Sequence, residues 1–315
     1  MDKSFLKGKR LAITAIDLQQ KEHRGIASVT KSLIKLLRKY GADIFLITSI
    51  DSQNIVSNKR INNKLFNELY INDLIASLQT GFSYRDKFKR NKLYAFSLIL
   101  KLIKNIFLLY INNFNLKYKI FSIDDNLKKN RKFDKRLDYL IDIKGFIFVK
   151  HIFNLSRLRS MRILTNDPKL NINQKDIDLI ITSSPLSLSK KSAKYTKIVQ
   201  LIHDAIPIQV SSHPENPTTF FNKLYDAHKN SECIYVSKES KKVVREILNI
   251  PISQNENDIL YPLPSINLEI LKETIKINSI KSINGPFILF NSSIEERKRV
   301  ENAIKYFKNS NLAER

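Results

Sequence analysis

The sequence predicts an α/β protein organised around a parallel sheet. Three observations carry this. Apolar runs of strand length recur along the chain, as in "RLAITAIDL" (10–18) and "DIFLITS" (43–49). Helical patterns stand between them. The first strand, helix and second strand are joined by short loops, which is a βαβ unit and requires parallel pairing.

The elements follow in order. After "RLAITAIDL", the stretch "HRGIASVTKSLIKLLRKYG" places Ile26, Val29, Leu33, Leu36 and Leu37 on one helical face. Gly41 falls where a helix ends on a left-handed residue. Residues 51–136 are less regular and read as a helical insertion. Within them "LYAFSLILKLIKNIFLLYINNF" (93–114) is mostly apolar but interrupted by Lys101 and Lys104. Two central lysines oppose a membrane span. Two readings remain: a helix packed on the sheet, or an amphipathic helix on anionic lipid between the basic stretches "RDKFKRNK" and "KKNRKFDKR". The α/β rhythm returns after Leu137. "YLIDIKGFIFVKH", "DIDLIITSSP", "TKIVQLIHDAIPI", "CIYVS" and "DILYPLPSI" read as strand segments. "PTTFFNKLYDAHKNSE" and "KESKKVVREILNI" read as helices. "GPFILFNSSIEERKRVENAIKYF" (285–307) reads as a further strand and helix.

Composition narrows the function. The chain has 315 residues, 43 % of them hydrophobic, enough for a substantial core. One cysteine, Cys233, excludes a disulfide framework and a multi-cysteine metal site. No signal-peptide pattern opens the chain, and a cytoplasmic location is expected, with a peripheral position at the inner membrane face as the variant. Net charge is +24, but lysine outnumbers arginine 39 to 15 and is dispersed. Readers of bases and phosphates favour arginine forks, so nucleic acid is not the expected partner. No GxSxG, HExxH, Walker A or CxxC pattern occurs, and none of the corresponding chemistries has support.

Ligands of open α/β sheets bind beyond the carboxyl ends of the strands. Four candidates fall there. Gly25 opens a helix whose free N–H groups suit phosphate or sugar, although alone it reads as a turn residue. His203 and Asp204 end a strand, where an imidazole can bond a hydroxyl or simply support the fold. Ser237 precedes a helix and reads first as an N-cap, second as a ligand contact. Arg297 and Lys298 stand just after "FILF" and suit a diphosphate, or a solvated basic face.

Taken in order, these segments resemble the retaining glycosyltransferases of family 4. "RGIASVTKSLIKLLRKYGADIFLIT" is similar to their first loop and helix, and "LIHDAIPIQVSSHPE" to their HD-x-IP segment. "CIYVSKESKKVVREIL" is similar to their VS-x-x-S-K strand and helix. "PFILFNSSIEERKRVENAIKYF" resembles the opening of their C-terminal domain, of the form PFILYVGTIEPRKN. The resemblance implies a GT-B architecture. A Rossmann-like acceptor-side domain would span 1–265, a linker 266–285, and the start of a donor-side domain 286–315. It also implies sugar transfer with retention from a nucleotide-sugar to a saccharide or lipid-linked acceptor, without metal or cofactor. Gly25, Arg297 and Lys298 would meet the donor diphosphate, and His203 would carry the catalytic contact to the donor sugar. Three positions depart from the pattern: Arg24 replaces a glycine, Ser292 another, and Arg299 an asparagine. The family's acidic E-x7-E motif has no counterpart in the chain, and a truncated donor-side domain is therefore expected. The alternative is a non-catalytic remnant that binds a partner or a membrane.

Overall fold

The computed structural model describes residues 5–20, 25–50, 63–80, 113–125, 135–210, 213–251, 257–262 and 300–309, with scattered positions between 100 and 133. The chain divides into two compact units, Met1–Ala205 with Thr218–Ser265, and Ile206–Pro217 with Ile266–Arg315.

The first unit is an α/β domain on a seven-stranded sheet. Its strands are β1 (Arg10–Thr14), β2 (Asp43–Thr48), β3 (Tyr118–Ser122), β4 (Gly145–Val149), β5 (Leu179–Thr182), β6 (Lys197–Ile202) and β7 (Glu232–Tyr235). They lie in the order β3-β4-β2-β1-β5-β6-β7. Every pair is parallel except β3 with β4. Numbered among themselves, the parallel strands run 3-2-1-4-5-6, the order of a doubly wound sheet. The chain winds outward from β1 in one direction and returns to start again at β5.

The core has two layers because strand side chains alternate between faces. Leu11, Ile13, Ile44 and Leu46 point to one face with Leu33 and Ile34 of α1 (Gly25–Lys39) and Tyr70, Ile71, Leu74 and Ile75 of α2 (Asn63–Thr80). Ala12, Phe45, Ile47, Ile147 and Ile180 point to the other with Ile152, Phe153 and Leu155 of α3 (Ile152–Ser160). Helices on both faces explain why the strand sequences are apolar throughout rather than alternating.

Helix α1 ends as the sequence predicts. Gly41 has φ +92°, its N–H donates to Arg38 O, and Ala42 N–H donates to Leu37 O at 3.1 Å. Its buried face agrees with the reading at Leu33, with Leu37 packed against the same cluster, and differs at its start. Ala27, Thr30, Leu33 and Ile34 face inward, whereas Ile26 is exposed. Small side chains let the helix approach the sheet, and the Thr30 hydroxyl is satisfied by Ile26 O at 3.0 Å.

The region read as an irregular insertion supplies core elements. Helix α2 buries a stripe from Tyr70 to Leu78, and Tyr70 stacks on Phe121 of β3 with ring centroids 4.0 Å apart. The strand read over "DILYPLPSI" reduces, in its described part, to a single parallel bridge from Ile259 to Tyr235. The apolar run "RLAITAIDL" is a strand only to Thr14, then a 3-10 turn over Asp17–Gln19. The strand read over "FILF", with Arg297 and Lys298, lies outside the described residues.

In the remainder, α4 (Ile206–Gln209) is a single turn, α5 (Pro217–Asn230) and α6 (Lys238–Ile247) flank β7 in sequence, and α7 (Val300–Lys308) buries none of its residues. Among the described residues no helix is long and apolar enough to cross a membrane.

Gly145 packs against the backbone of β3 with no room for a side chain. A Cβ there would stand 2.1 Å from Phe121 O on β3. We therefore expect Gly145→Ala to destabilise the domain by about 3 kcal/mol, the upper end for overpacking. Gly25→Ala, with nothing within 4 Å of the added carbon, should move the urea midpoint very little. Equal midpoints for the two variants would contradict this packing.

Candidate functional site

A doubly wound sheet opens a crevice where its winding reverses, at the carboxyl ends of the two strands that diverge. Here those strands are β1 and β5. Their ends are polar. Thr14 closes β1, Asp17 follows in the 3-10 turn, and Ser183 follows β5. Thr14 and Ser183 are fully buried and Asp17 is half-buried.

Proton bookkeeping fixes the direction of each bond. Ser183 N–H donates to Thr14 Oγ1 at 2.9 Å. Ser183 Oγ lies 2.5 Å from Asp17 Oδ2 and 3.2 Å from Thr14 Oγ1. An ionised carboxylate only accepts, so Ser183 gives its one hydroxyl proton to Asp17, and Thr14 gives its own to Ser183. The chain continues to β6. His203 Nε2 is 2.8 Å from Ser183 O. A carbonyl cannot donate, so Nε2 carries the hydrogen and Nδ1 of the neutral ring is an acceptor.

The next link repeats the pattern. Ser240 Oγ donates to His203 O at 2.5 Å, so Ser237 Oγ donates to Ser240 Oγ at 2.9 Å. Ser237 Oγ in turn accepts Ser240 N–H at 3.0 Å and N-caps α6. On the other side, Gln19 Nε2 donates to Thr48 Oγ1 at the end of β2, at 2.9 Å. One line of polar atoms thus runs along the carboxyl edge from β2 to β7.

The loop after β5 is held from beneath. Gln200 is fully buried in β6. Its amide nitrogen donates to Leu186 O and Ser231 Oγ, and its oxygen accepts Leu186 N–H at 2.7 Å. Ser183 and His203 are therefore positioned by an ordered frame.

The arrangement favours particular chemistry. Burial pushes the Asp17 carboxyl above its ordinary value, against the Ser183 hydrogen bond and the nearby His203, which both pull it down. Asp17 is an acceptor, and when the His203 ring is uncharged its Nδ1 is another, since Nε2 donates to the Ser183 carbonyl. Two acceptors in one crevice suit ligand hydroxyls, which donate. A free phosphate brings acceptors and negative charge and is disfavoured beside Asp17. The three residue types of a hydrolytic triad are present, but their connection is different. His203 bonds the Ser183 carbonyl and not its Oγ, whose proton goes to Asp17, so the serine–histidine link of a triad is not made. Burial pushes the Cys233 thiol up to about 12, which removes thiolate reactivity there. Among the described residues no group of three or more His, Cys, Asp or Glu side chains is gathered for a metal ion.

Of the residues read from the sequence, His203 sits in the crevice and Ser237 joins it through Ser240. Asp204 follows His203 and is half-buried. Gly25 begins α1, on the carboxyl side of β1, with open space around its Cα. Arg297 and Lys298 lie outside the described residues. Asp17 opens the loop that leads to Gly25, whereas Thr14, Ser183 and Ser240 do not stand out in the sequence. The polar turn "TSSP" after a buried strand was the available signal, but only the strand order shows that it meets the turn after β1.

Comparison of the chain with known protein families, curated proteins and solved structures found no match.

The raised Asp17 pKa has a consequence with a definite sign. Below the ordinary carboxylate pKa of about 3.9 both folded and unfolded chains are protonated at this position, and no penalty applies. As pH rises through the raised folded value, the unfolded chain ionises more readily and stability is lost. Asp17→Asn is thus expected to be more stable than the parent in urea at pH 7.5, with a smaller difference at pH 4.5. A difference that grew on acidification would reverse the assignment.

Proposed function

We propose that the protein is a GT-B-type glycosyltransferase domain that handles sugar hydroxyls at the β1–β5 crevice. The observation that supports this best is the convergence of Asp17, Ser183 and His203 at the winding reversal, an acceptor-rich site on an ordered frame. It is the part of the α/β architecture where a polyhydroxylated ligand fits by hydrogen-bond polarity. The resemblance of "HDAIP" and "VSKESK" to family 4 segments adds the reaction class, retaining transfer from a nucleotide-sugar to a saccharide or lipid-linked acceptor.

On this reading the roles divide by charge. His203 contacts the donor sugar through Nδ1, its orientation held by the Ser183 carbonyl. Asp17 and Ser183 take acceptor hydroxyls. The leaving diphosphate departs as an anion and needs fixed cations. The resemblance assigns those to Arg297 and Lys298, with Gly25 and the α1 N-terminus beside them. Holding donor ribose and sugar falls in the family to the E-x7-E carboxylates, which this chain lacks.

Two outcomes follow. Saturation-transfer NMR with a panel of mono- and disaccharides should show binding with a Kd of about 1 mM, a typical strength for a few exposed hydrogen bonds. His203→Ala and Asp17→Asn should each weaken it about tenfold, the loss of roughly 1.4 kcal/mol for one such bond. Turnover of common nucleotide-sugars by the 315-residue chain alone is expected to stay at background. No saccharide binding, or binding indifferent to both substitutions, would overturn the proposal.

A further inference from the structure

Arg162 occupies a position that suits glycine. Helix α3 ends with Arg162 N–H donating to Arg159 O at 2.8 Å and Ile163 N–H donating to Leu158 O at 3.0 Å, the paired bonds of a helix closed by a left-handed residue. Arg162 is that residue, with φ +60°. Its Cβ makes this conformation costly, and a residue other than glycine keeps it where the surroundings hold its side chain. Here they do. Arg162 Nη1 donates to both carboxylate oxygens of Asp226 on α5, at 2.9 and 2.8 Å, and Nη2 donates to Asn222 Oδ1 at 3.0 Å. Asn222 Nδ2 in turn donates to Ser160 O, a carbonyl at the open end of α3, at 2.8 Å.

Asp226 is 1 % exposed, and a carboxylate so buried needs its partners. One of them leads to the crevice. Ser187 Oγ donates to Asp226 Oδ2 at 2.7 Å, while Ser187 N–H donates to Ser156 Oγ of α3 at 2.9 Å. Ser187 belongs to residues 183–196, the connection from β5 to β6. Parallel strands are usually joined through a helix, whose own ladder fixes the backbone. This connection has no helix among its described residues. Its first stretch is fixed by side chains instead: the Gln200 amide on Leu186, and Asp226 with Ser156 on Ser187. Ser183 opens that stretch, and its carbonyl receives the Nε2 hydrogen of His203 at 2.8 Å.

We infer that Asp226, held by Arg162, is a positioning residue of the crevice: through Ser187 it sets the direction of the Ser183 carbonyl and thereby the tautomer of His203. Desolvation offsets much of the attraction in a buried ion pair, so stability alone gives little reason for a strained arginine at this place. Placement gives one. The pair ties α3 to α5, and the hydroxyl it grips lies on the stretch of chain that begins at the site. What the tautomer does for a ligand rests on the saccharide reading of the crevice.

Nitrogen-15 NMR of the His203 ring tests this at about pH 8, well above the ordinary imidazole range. The parent should show one tautomer, with the hydrogen on Nε2. Ser187→Ala removes the hydroxyl and leaves the ion pair in place. It should bring in the second tautomer and speed exchange of the Nε2 hydrogen about fivefold, the weight of one hydrogen bond. Arg162→Gly supplies the residue that positive φ favours, removes the guanidinium, and should do the same. The double variant should go no further than the stronger single one, because both act through one contact. Saccharide Kd should rise by about the same factor. Ile44→Val loosens the buried core at the amino end of β2 and should lower the melting temperature without moving the tautomer. The parental tautomer with parental exchange in Ser187→Ala, effects that add in the double variant, or an equal change in Ile44→Val would each overturn the inference. The tautomer is read without ligand, so a parent that binds no saccharide sinks the functional reading and not this one.

Discussion

The parallel pairing of β1 with β5 is the constraint on which the site depends. Leu11, Ala12 and Ile13 sit opposite Leu179, Ile180 and Ile181, and the register is held at the entry side by Asp178, which accepts Arg10 N–H at 2.8 Å and pairs with Lys9. Side-chain alternation makes this register strict, since a slip of one residue would move every apolar group to the opposite face. At the exit side the same register brings Thr14 and Ser183 together. The Asp17–Ser183–His203 geometry is thus a consequence of two strands of buried aliphatics, with the polar chain added at their ends.

That chain also explains how hydroxyls and a carboxylate sit stably beside a core. Buried polar groups are costly unless bonded, and a partly bonded network is worse than none. Each hydroxyl here gives its single proton to one partner and accepts another. Thr14, Ser183, Ser237 and Ser240 all follow this rule, twice through the same motif of an N–H and an Oγ returned to a neighbouring residue. The exception is the acceptor capacity at Asp17 and at His203 Nδ1. Capacity left at the crevice, with everything beneath it satisfied, is what a ligand supplying O–H groups would complete.

The alternation of apolar runs and amphipathic helices was legible in the sequence because it comes from local periodicity. Strands β1, β2, β5, β6 and β7 and helices α1, α5 and α6 all show it, and so does the Gly41 cap, where positive φ demands glycine. What was not legible depended on pairing. Strand β3, "YKIFS", is an antiparallel edge with a mixed burial pattern, and its place is set by Gly145 lying against its backbone, not by its own composition. On α1 hydrophobicity identified Leu33 and Leu37 but not the first turn, where Ala27 and Thr30 face inward and Ile26 outward. The site divides the same way. His203 and Ser237 could be named from their positions after strands, but Asp17 and Ser183 are 166 residues apart and meet only through the winding order.

The tautomer of His203 links these levels. Its Nε2 hydrogen is committed to the carbonyl of Ser183, and that carbonyl is held in place by the bond of Ser183 N–H to Thr14 and by the Gln200 clasp on Leu186. Burial favours a neutral Asp17, while the Ser183 hydrogen bond favours its charged form. The hydrogen-bond polarity of the crevice is thus set by Ser183, through its carbonyl at His203 and its hydroxyl at Asp17. Two ligand hydroxyls, one donating to each acceptor, would complete the crevice without requiring either group to change charge, and the proposed sugar ligand rests on this match of hydrogen-bond polarity.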